Sequence, residues 1–106
     1  MDARIGSLVC EYKAGLGAIY GDRLLGAYLH GSYARGGHDA ESDVDVVVVL
    51  DRLDRYGVEV ERTGALTSQL SLKYGVSISR VFVSRQDWAR GDMPFLAAAR
   101  SEAIPA

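Results

Sequence analysis

Residues 30–45 read His30-Gly-Ser-Tyr-Ala-Arg-Gly-Gly-His-Asp-Ala-Glu-Ser-Asp-Val-Asp45, and the chain continues Val46-Val-Val-Val-Leu50. A β-branched run of this kind disfavours helix and is too short to cross a membrane. It reads as a strand covered on both faces, hence central in its sheet. Asp43 and Asp45 open that strand two positions apart. Alternation puts both on one face, with Cα atoms roughly 6–7 Å apart, so both carboxylates can lean toward a common point. Two such charges repel unless a cation lies between them. Hard Mg²⁺ prefers one or two carboxylates plus substrate phosphates, and a two-metal phosphoryl-transfer site needs shared ligands of this type.

Gly31-Ser32 supplies a complementary element. The chain must turn sharply after the preceding strand, and Gly31 permits both unusual dihedrals and close backbone approach. Ser32 begins a turn or short helix whose N–H groups, with its hydroxyl, make an anion seat suited to the β and γ phosphates of a triphosphate. Arg35 can reach a phosphate with its planar fork. Either half alone is commonplace, since Gly-Ser is an ordinary turn and Asp-x-Asp is often a solvated turn or cap. Together, with ten residues between Ser32 and Asp43, they are far more specific, because solvent capping explains poorly a pair that opens a hydrocarbon strand. His30 and His38 read as a strand-edge and a loop residue.

Upstream, Ile5, Leu8, Val9, Tyr12, Leu16, Ile19 and Tyr20 recur at spacings of three and four. They predict a one-faced helix over 5–20, capped by Asp2 and stopped by Gly21 or Asp22. Gly15 and Gly17 each cost that helix up to about 1 kcal/mol relative to Ala, so tertiary packing must hold it. A strand over 24–29 leads into the turn. Downstream, 51–57 connects to a second helix over 59–74, with Ala65, Leu66, Leu70 and Tyr74 inward and Gly75 as its stop. A third strand covers 76–83, and Ser84 with Asp87 resembles a capping box for a short helix through Trp88. Asp92 and Pro94 open a last helix with Phe95, Leu96 and Ala99 inward, and Trp88 and Phe95 read as core packing. The expected fold class is α/β (α+β): a small mixed β-sheet flanked by helices, in the order α-β-β-α-β-α, forming a single domain over 1–106.

The 106 residues are 48% apolar and 25% charged, with a formal charge of -2. These are globular values; they give no footprint for a membrane surface and rank long nucleic acid low as a partner. A chain this short has a thin core, so a partner is expected, and the sheet's edge strand or the first helix offers a route to a homo-oligomer. Neither a signal peptide nor a membrane span is recognisable, which points to the cytoplasm. Cys10, the single cysteine, sits in an apolar pattern and reads as a small buried hydrophobe.

The sequence resembles the minimal nucleotidyltransferase family of the polymerase-β-like superfamily, whose signature is Gly-Ser, ten residues, Asp-x-Asp. Here that is Gly31-Ser32 and Asp43-Val44-Asp45 followed by valines, with Tyr33-Ala34-Arg35-Gly36 and Ser42 in keeping. The resemblance extends over nearly the whole chain, from the leading helix to 95–105. It implies a polymerase-β-like core and a Mg²⁺-dependent transfer of AMP (or another NMP) from ATP to an acceptor hydroxyl, with release of pyrophosphate. It assigns Asp43 and Asp45 to the metals and Gly31, Ser32 and Arg35 to the outer phosphates. It further implies that this chain is the antitoxin of a helical HEPN-domain toxin, which it modifies on a tyrosine.

One departure bears on mechanism. The superfamily usually places a third carboxylate on the strand after the second helix, yet 76–83 carries no acid, and Ser77 or Ser79 takes that position. A serine hydroxyl is neutral at pH 7 and cannot replace an anionic ligand. Water, Asp51, Glu59 or Glu61 are the candidates to compensate. The alternative reading is a non-catalytic module that binds nucleotide or a partner.

Overall fold

The computed structural model describes residues 3–31 and 43–90, and the backbone of 104–105. Its elements are α1 (Ala3–Tyr20), a 3-10 turn (Gly21–Arg23), β1 (Leu24–His30), β2 (Val44–Leu50), α2 (Tyr56–Arg62), α3 (Gly64–Tyr74), β3 (Ile78–Ser84), α4 (Arg85–Arg90) and β4 (Ile104–Pro105). The strands form one mixed sheet in the order β3-β2-β1-β4. β1 runs antiparallel to both β2 and β4, whereas β2 and β3 are parallel. A parallel pair needs a crossover connection, and α2 with α3 supplies it.

The valine run is the centre of the molecule, as its composition predicts. Val44, Val46, Val48 and Leu50 are buried in the main core, against Leu8, Tyr12 and Leu16 of α1 and Leu70 of α3. Val47 and Val49 are buried on the opposite face with Val83, packed by Tyr28, Val81 and Trp88. Each fully buried valine contributes roughly 1.5–3 kcal/mol of apolar transfer, which is what anchors β2 between its two neighbours.

In α1, Ile5, Leu8, Val9, Tyr12, Leu16 and Tyr20 are buried as expected, but Ile19 is exposed. Cys10 is exposed too, contrary to its reading as a core residue. Both lie one position off the buried stripe, and a step of one residue turns a side chain about 100° away from the core. Gly15 explains itself, because a β-carbon there would stand 2.6 Å from Leu66 Cδ1, so its absence lets α1 approach α3. Gly17 has open space around it.

The region expected to be one helix over 59–74 is two helices and begins earlier, at Tyr56. Thr63 (φ -101°, ψ 0°) breaks it. The Thr63 hydroxyl donates to the Glu59 carbonyl at 2.9 Å, and Arg80 of β3 donates from Nε to Thr63 Oγ1 at 2.8 Å. The polar break is thereby satisfied by a residue distant in sequence. Ala65 is exposed, and Thr67, which bonds the Tyr12 hydroxyl at 2.7 Å, faces in instead. Gly75 ends α3 in the left-handed conformation, as its position predicts. The Asp87 amide donates to Ser84 Oγ at 3.1 Å, in keeping with the capping-box reading. β4 was not expected from the sequence pattern. The Asp2 cap and the helix from Asp92, including Phe95, lie outside the described residues.

Candidate active site

Asp45 is the second residue of the central strand, and the pairing register defines its neighbours. His30 stands directly across from it on β1, and Ser79 stands beside it on β3. Asp43 immediately precedes β2 and is exposed. Two-residue alternation along β2 puts Asp45 on the face that carries Val47 and Val49, and Asp43 lies one residue before the strand. Between them, the Val44 amide donates to the Ser77 carbonyl at 2.9 Å, which ties the start of β2 to the entry of β3.

Gly31 closes on this position. Its φ is +75°, and a β-carbon on it would lie 3.1 Å from Asp45 Cγ and would overlap Oδ2. Only glycine combines that dihedral with so close a carboxylate. The turn and the second aspartate are therefore neighbours in space. Ser32 and Arg35 lie outside the described residues.

Farther along the same face the character changes. Tyr28 stacks on Trp88 with ring centroids 4.9 Å apart, and its ring lies over Gly26, on the side of Tyr28 away from His30 along β1. The face is thus apolar and covered under α4 and polar at the Asp45 end.

Ser79, not a carboxylate, lies beside Asp45 on β3, and Ser77 immediately precedes that strand. Among the described residues no group of three or more His, Cys, Asp or Glu gathers that could hold a metal ion. Neither Asp51 nor Glu59 compensates. Asp51 follows the other end of β2, more than about 20 Å along the strand from Asp43, where Arg23 Nε holds it at 3.2 Å. Glu59 is buried and accepts from Tyr20 Oη at 2.8 Å and Arg62 Nε at 3.0 Å. Glu61 is exposed on α2. The neighbour of Asp45 that motif spacing does not show is His30, because only the β1–β2 register places it opposite.

The family description "nucleotidyltransferase domain" matches residues 9–87 of this chain. The chain belongs to the nucleotidyltransferase domain family. The match takes in α1 from Val9, both motif halves and the start of α4, and it stops short of 95–105, which the sequence resemblance had included. This nucleotidyltransferase domain is 35% identical to the proposed protein adenylyltransferase MJ0141 of Methanocaldococcus jannaschii over 78 residues, 74% of this chain and 78% of that protein. It is 36% identical to a second such protein of that organism, MJ0604, over 76 residues, 72% of this chain and 70% of the relative. Among solved structures, a variant of the MntA–HpeT toxin–antitoxin pair matches with a TM-score of 0.58 at 18% identity, covering 89% of this chain and 68% of the other. A toxin–antitoxin structure with AMP-PNP matches with a TM-score of 0.55 at 18% identity and the same coverage. At that identity the likeness shows a shared fold, the small mixed sheet flanked by helices that the sequence leads one to expect.

Proposed function

We propose that this nucleotidyltransferase domain transfers AMP from ATP to a hydroxyl of a protein partner, at the face around Asp45. The observation that carries the reading is the adjacency of Gly31 and Asp45. It joins a turn suited to phosphates to a carboxylate suited to their counter-ion. AMP is the proposed group because the M. jannaschii relatives bear adenylyltransferase names. A helical toxin is the proposed partner because toxin–antitoxin structures share the fold, one of them with AMP-PNP. On the sequence resemblance, the acceptor is a tyrosine of a HEPN-type toxin.

Asp43 and Asp45 would hold Mg²⁺. The donor set fits, since two carboxylates on one strand leave coordination positions for substrate phosphates. When bound, the ion offsets charge developing on the transferred phosphoryl group and makes the acceptor hydroxyl more acidic. Gly31 makes room for the Asp45 carboxylate to close on the turn, while Ser32 would add an amide and a hydroxyl for the phosphates and Arg35 a guanidinium fork. With pyrophosphate leaving on the Gly31 side, in-line displacement brings the acceptor oxygen from the Ser79 side. The apolar floor of Val47 and Val81 under Trp88 keeps water from the inner end of the face.

The test is incubation of ATP labelled in its α-phosphate with the helical partner and Mg²⁺ or Mn²⁺. Label is expected on the partner with the natural chain and not with Asp43→Asn or Asp45→Asn. Failure of transfer with both ions overturns the proposal.

Ser79 beside Asp45, where an acid would complete the site, favours a second reading: an antitoxin that neutralises its partner by binding alone. On that reading the Asp43→Asn, Asp45→Asn double variant protects fully. Loss of protection while the complex still forms sinks it.

A further inference from the structure

At the opposite end of β2 from Asp43, four arginines, Arg23, Arg52, Arg55 and Arg62, line one cavity of about 260 Å³ together with Val58 and two acids, Asp54 and Glu59. In a chain of net charge -2, four guanidiniums on one cavity need a physical reason. Two of them are held in place. Arg62 reaches Glu59 Oε1 through Nε, at 3.0 Å, so this bond does not use its two terminal nitrogens. Arg23 is tied by Nε to Asp51 at 3.2 Å and by Nη2 to the Arg52 carbonyl at 3.3 Å.

Glu59, only 5% exposed, is the post to which these arginines are fastened, with the Tyr20 hydroxyl on Oε1 and Arg23 Nη2 3.8 Å from Oε2. Burial works against its charge. The hydrogen bonds from Tyr20 and Arg62 and the charges of Arg62 and Arg23 outweigh that, and hold its carboxyl below the usual range. It stays an anion at neutral pH, so the forks beside it stay oriented.

The other two arginines have no comparable structural task. Arg52 meets Asp54 at 3.6 Å with both side chains about three-quarters exposed, a pair that contributes little to stability. Arg55 has no ion pair with any described residue. Asp51, Asp54 and Glu59 supply three negative charges against the four positive ones, and each is already engaged by an arginine. What remains is a concave, net-positive surface with pre-oriented planar donors, which is the arrangement that recognises a tetrahedral oxyanion bidentately.

We propose that this cavity is a second site, separate from the reaction site, that binds a phosphoryl oxyanion. Its ligand is either inorganic pyrophosphate or the phosphate of a nucleotide monophosphate, and the two share the chemistry that four guanidiniums read. The site is remote from Gly31 and Asp45, so it does not hold the outer phosphates of a nucleotide bound there.

The experiment is NMR of the arginine side-chain Nε–H signals in the full chain, titrated separately with inorganic pyrophosphate and with AMP at constant ionic strength. Saturable shifts at Arg23, Arg55 and Arg62 are expected, weakened about tenfold or more in affinity by Arg52→Gln with Arg55→Gln. Those two side chains are exposed, so the fold survives their replacement. Asp43→Asn is expected to leave these shifts unchanged, which separates this site from the reaction site. Saturation by pyrophosphate alone assigns the inorganic anion, and saturation by AMP as well assigns a phosphate monoester site. Shifts that do not saturate, or saturation unaltered by the double glutamine variant, overturn the proposal.

Discussion

The Asp45 carboxylate occupies the space in which a β-carbon on Gly31 would stand. Gly31 cannot gain a side chain without moving Asp45. The positive φ of Gly31 adds a second constraint, since an L-residue pays about 1–2 kcal/mol there.

Gly31→Ala is therefore expected to lower stability by at least about 1–2 kcal/mol and to reduce transfer as Asp45 is displaced. Gly17→Ala, in a helix with open space at that position, is expected to stabilise by up to about 1 kcal/mol. Urea unfolding of the two variants checks both signs. Equal midpoints for them contradict the close approach at Gly31.

Loss of either aspartate separates chemistry from fold. Asp43 is exposed and Asp45 half-buried, so Asp→Asn at either is expected to keep a cooperative thermal transition. Transfer activity is expected to fall more than about hundredfold, since even outer-shell changes at metal sites cost 10–100-fold. Single-turnover transfer assays alongside thermal melts measure the two effects independently.

Ser79 neighbours Asp45 on the parallel strand and is exposed. Ser79→Asp adds an anionic oxygen donor there without burying a charge. It is expected to tighten Mg²⁺ binding and raise the transfer rate, while Ser79→Ala leaves both nearly unchanged. Magnesium titration of the rate for the three proteins reads this out. A slower Ser79→Asp variant argues that the serine position is not open to the metals.

The Tyr20–Glu59–Arg62 cluster makes acid stability predictable in sign. Burial raises the Glu59 pKa, but Tyr20, Arg62 and Arg23 together bring it below the ordinary 4.5. A depressed folded-state value means that the stabilisation is present above about pH 4.5 and is lost as pH falls through the folded value. Burial, assisted by Glu59, raises the Tyr20 pKa above its ordinary 10.0, so its contribution is full below pH 10 and is lost only in strong alkali. Glu59→Gln is expected to cost roughly 1–3 kcal/mol at neutral pH and to flatten the acid limb of a melting-temperature profile. An unchanged acid limb assigns it to other carboxylates.

Much of this molecule is written in local pattern. The run from Val44 to Leu50 announces a central strand, the stripe from Ile5 to Tyr20 announces a helix, and Gly75 announces its neighbour's end. The proposed metal-binding pair rests on the same kind of pattern, since two-residue alternation puts Asp43 and Asp45 on one face. Such features depend on period and backbone preference, which neighbouring residues set among themselves. Cys10 and Ile19 show the margin of that reading, since one position off the stripe is enough to reach solvent.

What only the tertiary structure decided are the relations between elements far apart in the chain. His30 faces Asp45, and Ser79 lies beside it, because strand register is chosen by the packing of whole faces rather than by those residues. The helix can break at buried Thr63 because Arg80 arrives from β3 to donate to the Thr63 hydroxyl oxygen and the Val60 carbonyl. Tyr20 meets Glu59 across 39 positions, and four arginines converge on one cavity, because folding brings together segments that have no local reason to meet.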